Sequence, residues 1–185
     1  MKRIAPIAIS ILGLAAGAFA QAPSEAVQKA LMAAPIGPRL KAEDVTVIKW
    51  KPDFTYETLQ TGSSALVCYD ISGYPGHLPF TVECTSKGNL PRVAQNLKFE
   101  AMGDRKTVQM ALKKAEEDGT RVKPEFGSAW IHLMGPDAEH ARKHTTIAVP
   151  GATAQSLGLT DKPSQDGAWI MDAGTSTAHI MIPGS

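Results

Sequence analysis

Hydrophobic and polar positions follow two different periods along the chain, and each stretch of one period predicts an element. From residue 45 to residue 85 the period is two. Val45–Trp50 (VTVIKW) and Phe54–Gln60 (FTYETLQ), separated by Lys51-Pro52-Asp53, read as a strand pair. Ser64–Asp70 and Phe80–Thr85 read as two further strands, with the turn formers Ser72-Gly73-Tyr74-Pro75-Gly76 between them. The period then changes to that of a helix. Leu90, Val93, Ala94 and Leu97 make one apolar stripe behind a candidate Asn89 cap. Asp104 is placed to cap a second helix, Arg105–Asp118, whose stripe is Val108, Ala111, Leu112 and Ala115 and whose charged residues form a solvated face; Gly119 suits its end. Alternation returns in Ala129–Met134, Thr145–Val149, Ala168–Asp172 and Thr177–Ile182, with Asp137–Lys143 a short helix or turn and Ala152–Leu157 a candidate helical turn. Near the start, Gln21–Ala34 reads as a helix capped by Ser24 and stopped by Pro35 and Gly37-Pro38. Strands, then helices, then strands predict an α+β fold: a largely antiparallel sheet with two or three packed helices and one disulfide-linked hairpin.

The first 20 residues do not belong to that pattern. Lys2-Arg3 precedes an apolar run of about 15 residues, Ile4–Ala18, and Ala18-Phe19-Ala20 offers small residues at a cleavage point, the layout of a secretory signal peptide. The run is shorter than the ~20 residues a spanning helix needs. Removing it leaves 165 of the 185 residues, 21–185, as one expected globular domain, and takes Lys+Arg from 19 to 17 against 18 Asp+Glu, a net charge of −1. The basic excess therefore belongs to the leader, which argues against an electrostatic nucleic-acid partner. The expected product is periplasmic or secreted, with no membrane insertion after cleavage.

That location gives the two cysteines a meaning. In an oxidising compartment Cys68 and Cys84 have one intramolecular pairing. Gly76 lies midway between them, so a hairpin folded there sets them opposite each other. Closing a loop of about 15 residues would stabilise the fold by ~3 kcal/mol.

Candidate chemistry lies in the last third. Residues i and i+2 of a strand share a face. Trp130, His132 and Met134 therefore share one on the first of the late strands, Trp169 and Met171 on another, and Thr177, His179 and Met181 on the last. If these strands adjoin in register, they build a surface or cavity lined by indole, imidazole and thioether. Three readings stand: core packing, a pocket for a small apolar ligand, and a soft-metal site such as Cu(I) using His132, Met134, His179 and Met181. His140 and His144, at i and i+4, would share a helix face; the charged run around them reads as a surface turn, with Asp137, Glu139 and His132 as further zinc ligands only if folding gathers them. Catalytic signatures are weak. Gly174-Thr175-Ser176-Thr177 precedes His179 and follows Asp172, which admits a hydrolase using His179 with Ser176 or Asp172, and it reads equally as a hairpin turn. No Gly-rich nucleotide-binding motif is present in the sequence, so a nucleotide cofactor is not expected.

Gly174-Thr175 with Ala178-His179-Ile180-Met181-Ile182-Pro183, together with His132-Leu133-Met134 and the Cys68/Cys84 pair around its Pro/Gly loop, resembles a family of uncharacterised exported bacterial proteins with the C-terminal pattern Gly-Thr-x-x-Ala-His-(Ile/Leu)-Met-(Ile/Val)-Pro. That family typically has Pro-Tyr where this chain has Ser176-Thr177, and a Trp where it has Leu66. The resemblance implies an export signal and a compact domain, and no reaction. The reading that results is an exported, non-catalytic binding or accessory protein, with the hydrolase as its alternative.

Overall fold

The computed structural model describes residues 23–182, so residues 1–20, expected above to be a leader, Gln21 at the start of the expected first helix and the motif's Pro183 lie outside the described residues. The elements in chain order are α1 (Glu25–Leu31), β1 (Thr46–Trp50), β2 (Tyr56–Gln60), β3 (Leu66–Asp70), β4 (Phe80–Ser86), α2 (Leu90–Glu100), α3 (Arg105–Glu117), β5 (Ala129–Gly135), β6 (Arg142–Ala148), α4 (Ala154–Leu157), β7 (Trp169–Met171) and β8 (His179–Met181). The eight strands form one sheet in the order β2-β1-β3-β4-β5-β6-β8-β7. Every pairing is antiparallel except β1 with β3. That exception arises because the chain leaves β2 at the sheet edge and crosses back over β1. The crossing passes so close to the backbone of residues 44–45 that any Cβ at Gly62 would collide with the Asp44 carbonyl.

The two faces of the sheet are packed differently. On one, α1 lays Val27 and Ala30 over Val47, Cys68, Val82, Cys84 and Ile131. The disulfide is here: Cys68 and Cys84 are direct partners in the β3–β4 ladder, bonded to each other and fully buried. On the other face, Leu90, Val93 and Leu97 of α2 cover Ile48, Trp50, Val67 and Tyr69. The helix α3 lies outside α2 and buries only Ala115 of its own residues. A small third cluster, Val149, Ile170 and Ala178, sits beneath α4.

Two local expectations change and one open reading is decided. Asn89 does not cap α2; its amide is drawn inward, donating to Thr85 Oγ1 (2.7 Å) and Ser128 Oγ (2.9 Å) and accepting from the Glu125 backbone N–H (2.8 Å). A fully buried amide has to satisfy both its ends, and these three partners tie α2 to the segment before β5. Phe54 falls outside its strand, in the left-handed region at φ 63°, where it turns the chain from β1 into β2. Of the two readings of Asp137–Lys143, the turn holds: residues 137–140 form an exposed bend, so His140 and His144 share no helix face, and His144 belongs to β6.

Candidate functional site

On the α2 face, register aligns one residue from each of four strands. Tyr69 of β3 is opposite Glu83 of β4, Glu83 is opposite His132 of β5, and His132 is opposite His144 of β6. Side chains directly across a ladder are close enough to touch, and these do. The Tyr69 hydroxyl donates to Glu83 Oε2 at 3.0 Å. His132 Nδ1 lies 2.7 Å from Glu83 Oε1. The His132 and His144 rings are 6.1 Å apart between centroids, and the Trp130 ring stacks near-parallel to His132 at 6.5 Å.

Glu83 is only 7% exposed, so its charge survives through these partners. Burial would raise its carboxyl, but the adjacent His132, then His77 and then Tyr69, outweigh burial and hold it below the ordinary value. Burial likewise opposes the charged form of His132, and the Glu83 carboxylate reverses this, so the imidazole titrates above its ordinary range. His144 moves the other way, lowered first by burial and then by repulsion from His132 and His179.

This row ends in a cavity of about 260 Å³ between α2, the segment around Pro124, β5, β6 and residues 177–179. Trp130, His132 and Met134 form one wall, His144 and Thr146 the floor, and His179 and Thr177 the far side. Arg92 of α2 closes it. This guanidinium is 3% exposed; burial, and then Arg121, push its pKa down to about 10. It donates to the Val122 carbonyl, to Ser176 Oγ (3.1 Å) and to Thr177 Oγ1 (2.7 Å), fastening the turn before β8 to α2.

Of the residues singled out from the sequence, Trp130, His132, Met134 and His179 line this cavity, whereas Trp169, Met171 and Met181 do not. Met181 is opposite both Thr146 and Trp169, and Met171 is 41% exposed at the sheet edge. His132 and His179 share a face but are separated by β6 and by the register from His144 to Ala148, their respective partners on it. His179 Nδ1 donates to the Thr177 carbonyl at 2.7 Å and lies 4.0 Å from Asp172 Oδ2. The Ser176 hydroxyl is buried and turned to Glu116, which also accepts from the Ser176 backbone N–H at 3.2 Å. His140 is exposed and paired with Asp137. Among the described residues, no three His, Cys, Asp or Glu side chains gather as a metal site, and no helix is long and apolar enough to cross a membrane.

Sequence reasoning missed Glu83 and Arg92 as members of this site, and it weighed His144 with His140 rather than as a lining residue beside Trp130 and Met134. Glu83 carried the one available signal, a carboxylate at the centre of an otherwise uncharged strand, FTVECT. Comparison with protein-family models, with curated proteins and with solved structures finds no match to this chain.

Proposed function

We propose that this chain is an exported binding or accessory protein that takes a small, mainly apolar ligand in the cavity between α2 and strands β5, β6 and β8. The observation that carries the reading is the cavity itself. It has an indole and a thioether on one wall and only a few polar groups aimed inward, the composition of small-molecule sites. Its 260 Å³ suits a ligand of one or two rings. The charged groups around it are held by other protein groups: Glu83 by Tyr69 and His132, Arg92 by Val122, Ser176 and Thr177. They serve to shape the walls. The leader-like first 20 residues, the buried disulfide and the C-terminal likeness to exported bacterial proteins support action outside the cytoplasm.

Indole is a suitable probe, being small, flat and able to stack on Trp130. Titrated into the disulfide-bonded 21–185 protein, it is expected to shift the backbone amide resonances of Trp130, His132, Thr146 and Thr177, and Trp130→Ala is expected to abolish those shifts. Absence of saturable shifts at millimolar indole, or shifts confined to the separate groove beside Trp50 and Phe54, would overturn the proposal.

A further inference from the structure

The cavity wall holds a donor set that a ligand-binding cavity does not require. When the imidazole is neutral, donation from His132 Nδ1 to the Glu83 carboxylate fixes the tautomer and leaves the lone pair on Nε2. A carboxylate behind a histidine is the arrangement that orients imidazole ligands for metal ions. Across the ladder stands His144, partly buried, its ring making no hydrogen bond among the described residues. The two ring centroids are 6.1 Å apart, close enough for one ion to reach both rings with metal–nitrogen bonds of about 2 Å. Met134, two residues along the same face of β5, lines the same cavity and supplies a thioether.

We infer that His132 Nε2, His144 and Met134 Sδ form a site for a soft monovalent metal ion of the Cu(I) class. Two imidazoles and a thioether are soft to borderline donors. No carboxylate or thiolate joins them, which disfavours Ca²⁺ and a closed Zn²⁺ site. The cationic Arg92 on the same cavity further disfavours a divalent ion relative to a monovalent one. The site is distinct from the earlier grouping of these ligands with His179 and Met181, because β6 separates β5 from β8 and puts His144 within reach instead.

Ag(I) tests this directly. It shares the charge and softness of Cu(I) and needs no reductant, so the Cys68–Cys84 bond stays intact. In chloride-free buffer one Ag(I) per chain is expected to bind, with shifts of the Met134 methyl and of both imidazole ring nitrogens. His144→Gln should weaken binding by at least about tenfold, and Met134→Leu by less. Both positions are only partly buried, so near-ultraviolet circular dichroism is expected to show folded variants where His132→Gln, which strands Glu83, need not fold. Unchanged Ag(I) affinity in folded His144→Gln, or no binding at micromolar Ag(I), would overturn the inference. The indole titration is independent: Ag(I) binding with no indole binding removes the ligand reading and leaves the metal site.

Discussion

Cys84 and Glu83 are neighbours on β4, yet they face two layers built on different principles. The α1 face is a dry apolar layer stapled by the disulfide, in which Val47, Cys68, Cys84 and Ile131 need only shape and volume to pack. The α2 face begins the same way at Ile48 and Tyr69, then within two strands passes to a buried carboxylate, two histidines and a cavity. On the first face each residue contributes by leaving water. On the second each polar group depends on a particular partner, because a buried charge without one is costly. The first layer should therefore tolerate volume-conserving changes, and the second should fail group by group.

The sharpest way to break that contrast is Glu83→Ala. It removes the acceptor of Tyr69 and the counter-charge of His132 at once, and losing one partner of a buried pair costs about 3–5 kcal/mol. The double substitution Glu83→Leu/His132→Leu removes the pair together and is expected to recover most of that loss. Urea denaturation of both variants measures the difference; a double variant as unstable as the single one would show that the row is not an interdependent pair.

On the α1 face the largest single effect is the disulfide. Cys68→Ser/Cys84→Ser opens a loop with a separation of 16 residues, which should lower stability by about 3 kcal/mol while leaving the resonances around His132 and His144 in place. Loss of those resonances in a still-folded variant would mean that the two layers are coupled.

Next in size is the pH dependence: the α1 face contributes through Asp70, whose pKa is lowered, against burial, with Lys29 as its partner, and the α2 face through His132 and Glu83. The folded pKa of His132 is raised above 6.5, so its contribution is full below that value and lost as pH rises through the folded pKa. The folded pKa of Glu83 is lowered below 4.5, so its contribution is full above that value and lost as pH falls through the folded pKa. Both are present between these limits. His77, raised by Glu100, adds to the alkaline slope, so the pair's own share is the difference between wild type and Glu83→Leu/His132→Leu in denaturation midpoint across pH. An unaltered profile in the double variant would assign the slope to other groups.

The smallest effect is expected at His140→Ala. Its ion pair with Asp137 is solvent-exposed, and such pairs contribute little to stability. A thermal melt should barely move. A large shift would mean that the bend before β6, which delivers His144 to the cavity, depends on this contact.

Much of the secondary structure was legible because it is local. Period two in VTVIKW, FTVECT and AWIHLM, and the i, i+3, i+4 stripe from Leu90, reflect which face each residue buries, and that is set within one element. The pairing of Cys68 with Cys84 was legible for the same reason, since a Pro/Gly turn midway between two strands leaves one symmetrical register. The cap misassigned to Asn89 shows the limit. Its propensity for a helix start was right, but Thr85, Ser128 and Glu125 compete for the same amide, and two of those lie well outside the local window.

The candidate site divides along the same line. By itself the sequence determined that Trp130, His132 and Met134 share one face and that His179 and Met181 share another, because a strand's alternation is a property of its own backbone. Only the tertiary structure decided that β6 lies between those strands, that His144 rather than His179 is opposite His132, and that Ser176 is held by Arg92 and Glu116, 84 and 60 residues away. Strand order and register depend on which faces can be buried together across the whole sheet, and that free energy is shared among segments far apart in the chain.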